Sequence, residues 1–390
     1  MKICLICPQT PFLEYISFPP INLLYLSSYL KKYRYNDVQI IDLNITNDIP
    51  PADIYAITAT TPQFPYALEL KQKLDGITII GGAHATADPL SCNTFDKIIV
   101  GDGEKAIIQC IEDIEKNNDK HVYIGTQIAN LDDVPMPNRR EIDRENYRYF
   151  IDDVQSTIMI TSRGCPYDCY FCQKINNINR NVRFHSNKYV LKELQDIIDC
   201  GYDGVYFEDD IFTMRKDLEY LSTMLKKMAW RCQIRPDEKI KNIRILGKMG
   251  CRHASIGIES GSQKLLDIVN KKVELKDTIS VVKECKSQNI KVRAYIIIGL
   301  PSETHETIRE TIEFLKMIEP DSIGIGTFIP YPGTYIYNHM KLFDIKIEER
   351  DYKKWYFRSG NGKYNCVVST SGLTSDEILK YRDEIDKEFN

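Results

Sequence analysis

Cys165, Cys169 and Cys172 stand in a C-x3-C-x2-C arrangement within SRGCPYDCYFCQK, residues 162–174. Three thiolates within eight residues can wrap one loop around a cubic iron–sulfur cluster. A [4Fe–4S] cube has four irons, so three cysteines leave one iron open to a small chelating molecule. A zinc knuckle, or three unrelated core cysteines, is the alternative. Zinc asks for a fourth Cys or His, and His185 is the nearest, thirteen residues beyond Cys172.

Other polar residues sit where apolar runs end. Glu208-Asp209-Asp210 lie between an apolar run and Ile211-Phe212, which argues against a random acidic surface loop. Carboxylates there suit an ammonium group. Arg235, in CQIRP, offers a guanidinium to a ligand carboxylate or to Glu208. Glu259 and Ser260 lie in GIESGS, between glycines that let a ligand approach the backbone. Glu303, in GLPSET, reads as an acid stabilising a helix N-terminus. Nearer the start come three more loops: TATTPQFP with Thr58, Thr60 and Thr61, GGAHAT with Gly81, Gly82 and His84, and GDGE with Gly101, Gly103 and Glu104. A helix opening at Gly103 presents free N–H groups to an anion. Taken singly, each of these loops also reads as an ordinary turn.

The elements that must position these residues alternate. Strands are predicted over 2–7, 38–42, 53–58, 77–80 and 97–100, with helices over 20–32, 66–74 and 103–116. Such alternation implies a doubly wound, Rossmann-like parallel sheet, α/β in class, whose ligands lie beyond the carboxyl ends of the strands. Residues 117–155 read as a polar linker strap stiffened by Pro135 and Pro137. A second alternation follows, with strands over 157–161, 204–207, 231–235, 254–258, 291–298 and 322–328. Helices are predicted over 187–200, 216–229, 239–249, 263–269, 275–288 and 303–318. Six strand–helix units suggest a partial (β/α)6 barrel over 156–334, with chemistry at the carboxyl ends. A short C-terminal extension, 335–390, holds the aromatic and basic run KKWYF, residues 353–357, and a final helix over 373–389. KKWYF either lines a substrate entrance or packs the barrel's open side.

Composition narrows the class. The chain has 390 residues, 43% of them hydrophobic, and a net charge of −4 with acids and bases interspersed. Two or three domains with packed cores are expected, and nothing points to nucleic acid. Twelve cysteines suggest disulfides only in a short secreted chain, and MKICLICP is too short for a signal-peptide core. No apolar stretch approaches a membrane span. The expectation is a reduced, cytoplasmic protein whose nine other cysteines are small buried hydrophobes.

The cysteine motif, with Phe171 before its third cysteine, resembles that of the radical S-adenosylmethionine (SAM) superfamily. The acidic strand end, GIESGS, GLPSET and the YPGT turn at 331–334 fit the same family. The entry Pro19-Pro20, GGAHAT and GDGE are similar to the N-terminal cobalamin-binding domain, here residues 1–116, of its B12-dependent branch. The resemblance implies a [4Fe–4S] cluster on Cys165, Cys169 and Cys172. It implies SAM beside Phe171, Glu208, Asp209, Arg235, Glu259 and Ser260. It further implies cobalamin against Thr58, Thr60, Thr61, Gly81, Gly82, His84, Gly101, Gly103 and Glu104. The chain lacks the D-x-H-x-x-G sequence that supplies an axial histidine in wider B12 families, so no His ligand to cobalt is expected. His84 is expected to bond the corrin periphery or the loop backbone.

The family's chemistry splits SAM to a 5′-deoxyadenosyl radical with an electron from an external flavodoxin- or ferredoxin-type donor. With cobalamin present, the implied reaction is methylation of an unactivated carbon. A small molecule or short peptide is the expected substrate. Cyclisation or rearrangement without methyl transfer is the alternative reaction, and a non-enzymatic cobalamin or cluster sensor is the alternative class. A methylthiotransferase would need three cysteines for a second cluster early in the chain, where only Cys4 and Cys7 precede Cys92.

Overall fold

The computed structural model describes residues 1–10, 18–173, 181–356 and 364–390. The chain divides into two compact units. The first consists chiefly of residues 1–148. Its strands are β1 (Ile3–Cys7), β2 (Val38–Asp42), β3 (Ile54–Thr58), β4 (Ile77–Gly81), β5 (Lys97–Gly101) and β6 (Val122–Gly125). They form one sheet in the order β2-β1-β3-β4-β5-β6, parallel throughout. The apolar runs ICLIC and IYAIT are buried almost end to end, as strands covered on both faces must be. Helices α1 (Ile21–Lys32), α2 (Phe64–Lys71), α3 (Ala83–Ala87) and α4 (Gly103–Glu115) connect them. Two of these elements depart from the sequence reading. GGAHAT is a glycine turn feeding a short helix, and β6 is an extra edge strand from the stretch read as linker.

The second unit holds the later alternation. A hairpin of β7 (Phe150–Ile151) and β8 (Val154–Met159) leads into the cysteine loop, flanked by the short ladder of β9 (Ser162–Arg163) and β10 (Arg183–Phe184). There follow β11 (Gly204–Phe207), β12 (Ala229–Ile234), β13 (His253–Glu259), β14 (Lys291–Ile298) and β15 (Ser322–Thr327). The order is β15-β14-β13-β12-β11-β8-β7, with the six strands from β8 to β15 parallel. This is the expected run of six strand–helix units.

Helices α5 (Asn187–Asp199), α6 (Ser222–Leu225), α7 (Ile240–Lys248), α8 (Gln263–Ile268), α9 (Leu275–Ser287) and α10 (His305–Ile318) link the strands. The continuous helix predicted over 216–229 is absent. Asp217 is left-handed, at φ 54°, and only a 3-10 turn and α6 follow. The final helix, Ser375–Phe389, opens on a capping box of Thr374 and Glu377. Beyond its end, Asn390 Oδ1 accepts from Ile323 N at 3.0 Å, covering the edge strand β15. Trp355 is buried, with its indole N–H on Glu349 O at 2.9 Å. Of KKWYF only Phe357 lies outside the described residues, as does Lys174 at the end of the cysteine loop. No helix among the described residues is long and apolar enough to cross a membrane.

Candidate functional site

The cysteine loop leaves the carboxyl end of the second sheet and is clamped along its length. Asp209, fully buried at the end of β11, accepts from Thr161 N at 3.0 Å and Thr161 Oγ1 at 3.1 Å, and from the Ser162 hydroxyl. This pins the residues just before Gly164, whose φ of 104° turns the chain into the loop. Further on, Tyr170 N donates to Val269 O and Asn270 Nδ2 donates to Asp168 O, both at 2.9 Å. The Tyr170 ring stacks on Tyr335 at 4.2 Å, and Arg235 lies 3.5 Å over the ring of Tyr167. Cys165 is buried, while Cys169 and Cys172 are partly open, and none of the three forms a disulfide.

This donor set fits a cluster. The loop is fixed by contacts outside the thiols, and cations stand over its aromatic residues. Among the described residues no three His, Cys, Asp or Glu side chains gather as ligands of one ion would. A cube instead spreads its thiolates over three irons. His185, the candidate fourth zinc ligand, is buried and stacked on Tyr189 at 3.8 Å.

The residues expected around SAM divide into two groups. Glu208, Phe171 and Glu259 stand at the carboxyl rim. Glu208 is reached by solvent within a crowded hollow. Desolvation there, then the charges of Asp209 and Asp210, raise its carboxyl to about 7. Glu259 is buried and takes a proton donor the sequence reading missed: Lys271 Nζ donates to its Oε1 at 2.7 Å. The same ammonium lies 5.6 Å over the Phe171 ring. Glu259 holds φ at 69°, where β13 slips register against β14 between Gly257 and Glu259. A Cβ on Gly257 would stand 2.5 Å from Glu259 Oε1, so the glycine makes room for that carboxylate.

The second group supports the rim. Asp209 is spent on the loop start, and burial raises its carboxyl to about 6 despite those donors. Arg235 does not pair with Glu208. Its Nε donates to Asp237 Oδ1 at 2.7 Å and its Nη2 to Lys271 O at 3.2 Å. Ser260 is buried beside Thr311 of α10, 3.2 Å between hydroxyl oxygens. Gly261 lies so close to that helix that a Cβ would stand 2.6 Å from Thr311 Cα. Glu303 does not cap α10, which begins after Thr304. Its buried carboxylate instead accepts from Gly299 N and, at 3.1 Å, Leu300 N, and burial raises it to about 8. Lys271, Asp237 and Tyr167 are the partners that sequence reasoning left out. Only Asp237, two residues after Arg235, carried a readable signal.

In the first unit the three carboxyl-edge loops come together through backbone bonds. Ala59 N donates to Gly81 O, His84 N to Ala59 O, and Gly101 N to Thr86 Oγ1, each at 3.0 Å. Gly82 has φ 93°, and a Cβ there would stand 2.7 Å from Thr58 Oγ1. Thr60 bonds Gln63 Oε1 at 2.9 Å. His84 is fully buried, stacked on Phe64 at 4.0 Å, with Nδ1 3.3 Å from Thr61 Oγ1 and Nε2 3.0 Å from Ser91 Oγ. Burial lowers its pKa to about 4. His84 and Thr61 therefore tie the loops inside the fold, and His84 bonds loop hydroxyls where the corrin periphery or the loop backbone was expected. Asp102, at the N-cap of α4, and Glu104 are also buried. By contrast, Cβ atoms on Gly81 and Gly103 would meet nothing closer than 3.8 and 4.0 Å. The protein's own packing does not demand glycine there, whereas a large ligand lying against the edge would, so these residues fit a corrinoid.

Residues 159–315 match the model of the Radical SAM superfamily. An uncharacterised methyltransferase of Pyrococcus horikoshii is 27% identical, over 87% of this chain and 83% of its own. The anaerobic magnesium-protoporphyrin IX monomethyl ester cyclase of Rubrivivax gelatinosus is 25% identical, over 87% of this chain and 69% of its own. Among solved structures, the radical SAM methyltransferase TsrM of Kitasatospora setae, with cobalamin and a [4Fe–4S] cluster bound, superposes with a TM-score of 0.72 at 14% identity, covering 99% of this chain and 91% of its own. The chain thus carries a radical SAM domain and shares the fold of the cobalamin-dependent radical SAM methyltransferases.

Proposed function

We propose that this protein is a cobalamin-dependent radical SAM enzyme that methylates an unactivated carbon of a small molecule or short peptide. The clamped three-thiol loop at the carboxyl edge of six parallel strands carries the reading. Cys165, Cys169 and Cys172 would hold the cluster, and the glycine edges at Gly81, Gly82, Gly101 and Gly103 would admit cobalamin. With these groups bound, cluster and SAM would supply a radical that abstracts a hydrogen atom from carbon, and cobalamin a methyl group. The chain's own residues do the positioning. Glu208, half-ionised near neutral pH, is placed to accept from SAM's ammonium. Lys271 pairs with Glu259 beside Phe171. Asp209 and Arg235 fix the loop that carries the thiols, and an external one-electron donor completes the system.

The test is anaerobic reconstitution with iron, sulfide, cobalamin, SAM and a low-potential reductant. 5′-Deoxyadenosine and S-adenosylhomocysteine are expected. Iron-loaded protein that yields no nucleoside would overturn the reading in favour of a binding protein. The cyclase relative favours a second reading, cyclisation, for which 5′-deoxyadenosine forms with the true substrate and S-adenosylhomocysteine does not.

A further inference from the structure

The concave face of the second sheet carries polar side chains that none of these roles uses. Register sets Tyr206 beside Arg231, Gln233 beside Ser255, and Ser255 beside Arg293. Side chains alternate across a strand. These residues and Tyr295 therefore share one face, while Trp230, Cys232 and Ala294, fully buried, take the other. Arg231 lies 4.7 Å over the Tyr206 ring, and its Nη2 donates to Ser255 Oγ at 2.5 Å and the Tyr295 hydroxyl at 3.4 Å. Gln233 Nε2 donates to the Tyr206 hydroxyl at 2.7 Å. Arg293 stands 5.8 Å from the Tyr295 ring centroid. Both guanidinia are only partly exposed, and the Nε of each is buried without a hydrogen-bond partner.

Among the described residues neither arginine has a carboxylate partner. Asp152, in the turn between β7 and β8, is already committed to Lys291 at 2.9 Å, His253 at 3.0 Å and Arg252 at 3.2 Å. Two half-buried cations without a counter-charge are costly. Their planar forks match the paired oxygens of a carboxylate or phosphate. Two buried arginines elsewhere in this unit are matched by carboxylates, Arg235 by Asp237 and Arg382 by Asp383 and Asp386, and a third, Arg215, spends its guanidinium on Asn187 and two backbone carbonyls.

We propose that Arg231 and Arg293 bind an oxyanion, a carboxylate or phosphate, at one end of the substrate. The inference rests on the radical SAM reading and names its substrate class. Ser255, level with Arg293, lies four residues before Glu259 on β13, about 13 Å at ~3.3 Å per residue. A substrate anchored there reaches the rim only if extended, with its reacting carbon far from its charge.

The test is calorimetric titration of the full anaerobic chain with inorganic phosphate, with succinate and with uncharged succinamide. It needs neither SAM cleavage nor methyl transfer, so its failure is separate from failure of the enzyme reading. Saturable binding of one anion and not of succinamide is expected, and whichever binds tighter identifies a phosphate or a carboxylate. Arg231→Gln and Arg293→Gln should each weaken it at least tenfold. Arg293→Lys should restore part, with melting temperature checking that each variant folds. Absence of saturable anion binding to the wild type, equal binding of succinamide, or an unchanged affinity in both folded glutamine variants overturns the proposal.

Discussion

At the carboxyl edge of the first sheet, side chains are turned into the protein and Gly81 and Gly103 are left with room beside them, while Gly82 and Gly101 pack against neighbouring backbone. At the edge of the second, glycines are packed against protein and side chains occupy the hollow. His84 and Thr61 bond each other within the first edge, while a Cβ on Gly81 or Gly103 would make only ordinary contacts with Ile99 or Leu26. Gly257 and Gly261 have no such room, whereas Glu208 and the partly open Cys169 and Cys172 remain accessible. The first edge is shaped to accept a large ligand by contact. On the proposed reading, the second presents groups that would bind and orient by charge and coordination.

The largest break in this contrast comes from the thiols. Cys169→Ala should abolish 5′-deoxyadenosine formation and lower iron and sulfide content. Cys232→Ala, which removes a buried core thiol, should leave both intact. Equal iron loading of the two variants would sink the assignment. Next in size is Lys271→Met, which leaves Glu259 buried without its partner, a change that costs about 3–5 kcal/mol. Chemical denaturation should register it, and adding Glu259→Gln should recover much of the loss. If the single variant is as stable as wild type, the pair does not hold the rim together.

At the first edge, Gly82→Ala tests shape rather than charge. Alanine at φ 93° meets Thr58 Oγ1 and the Ala59 backbone, and such strain costs of order 1–3 kcal/mol. A lower melting temperature and weaker cobalamin retention are expected, the latter measured by corrinoid absorbance after gel filtration. A variant with wild-type retention would show that this turn does not shape the site.

The frame was legible because its strands are apolar runs, either continuous, as in ICLIC, or alternating with polar residues, as in KVRAYIII. Gly204–Phe207 and Lys291–Ile298 fall where the pattern puts them. Strand β6 was not, because only four residues form it and Val122 and Ile124 point to solvent. Glu259 was legible from GIESGS, but Lys271 was hidden. It lies twelve residues on, beyond a short helix, in a Lys-Lys pair that reads as surface. His84 was expected to bond the corrin periphery or the loop backbone, and only packing reveals that its ring nitrogens meet the Thr61 and Ser91 hydroxyls. Residue type marks where chemistry is possible. Which way a side chain turns depends on partners that no local pattern contains.

The last predicted effects are pH-dependent and carry opposite signs in the two units. His84 titrates near 6.5 unfolded but about 4 folded. The unfolded state therefore holds more protons between those values, and this contribution to stability falls as pH drops from 6.5 towards 4. Glu303 titrates near 4.5 unfolded and about 8 folded. Here the folded state holds the extra proton, so stability present below 4.5 is lost as pH rises through 8. Each slope is bounded by about 1.4 kcal/mol per pH unit. Urea midpoints across this range should flatten on the acid side in His84→Gln and on the alkaline side in Glu303→Gln. Glu208 and Asp209, also raised, keep part of the alkaline slope in the second variant. If Glu303→Gln keeps the full wild-type slope, Glu303 is ionised in the folded protein. Its two backbone donors then outweigh its burial, as they would if water reached the Gly299 turn.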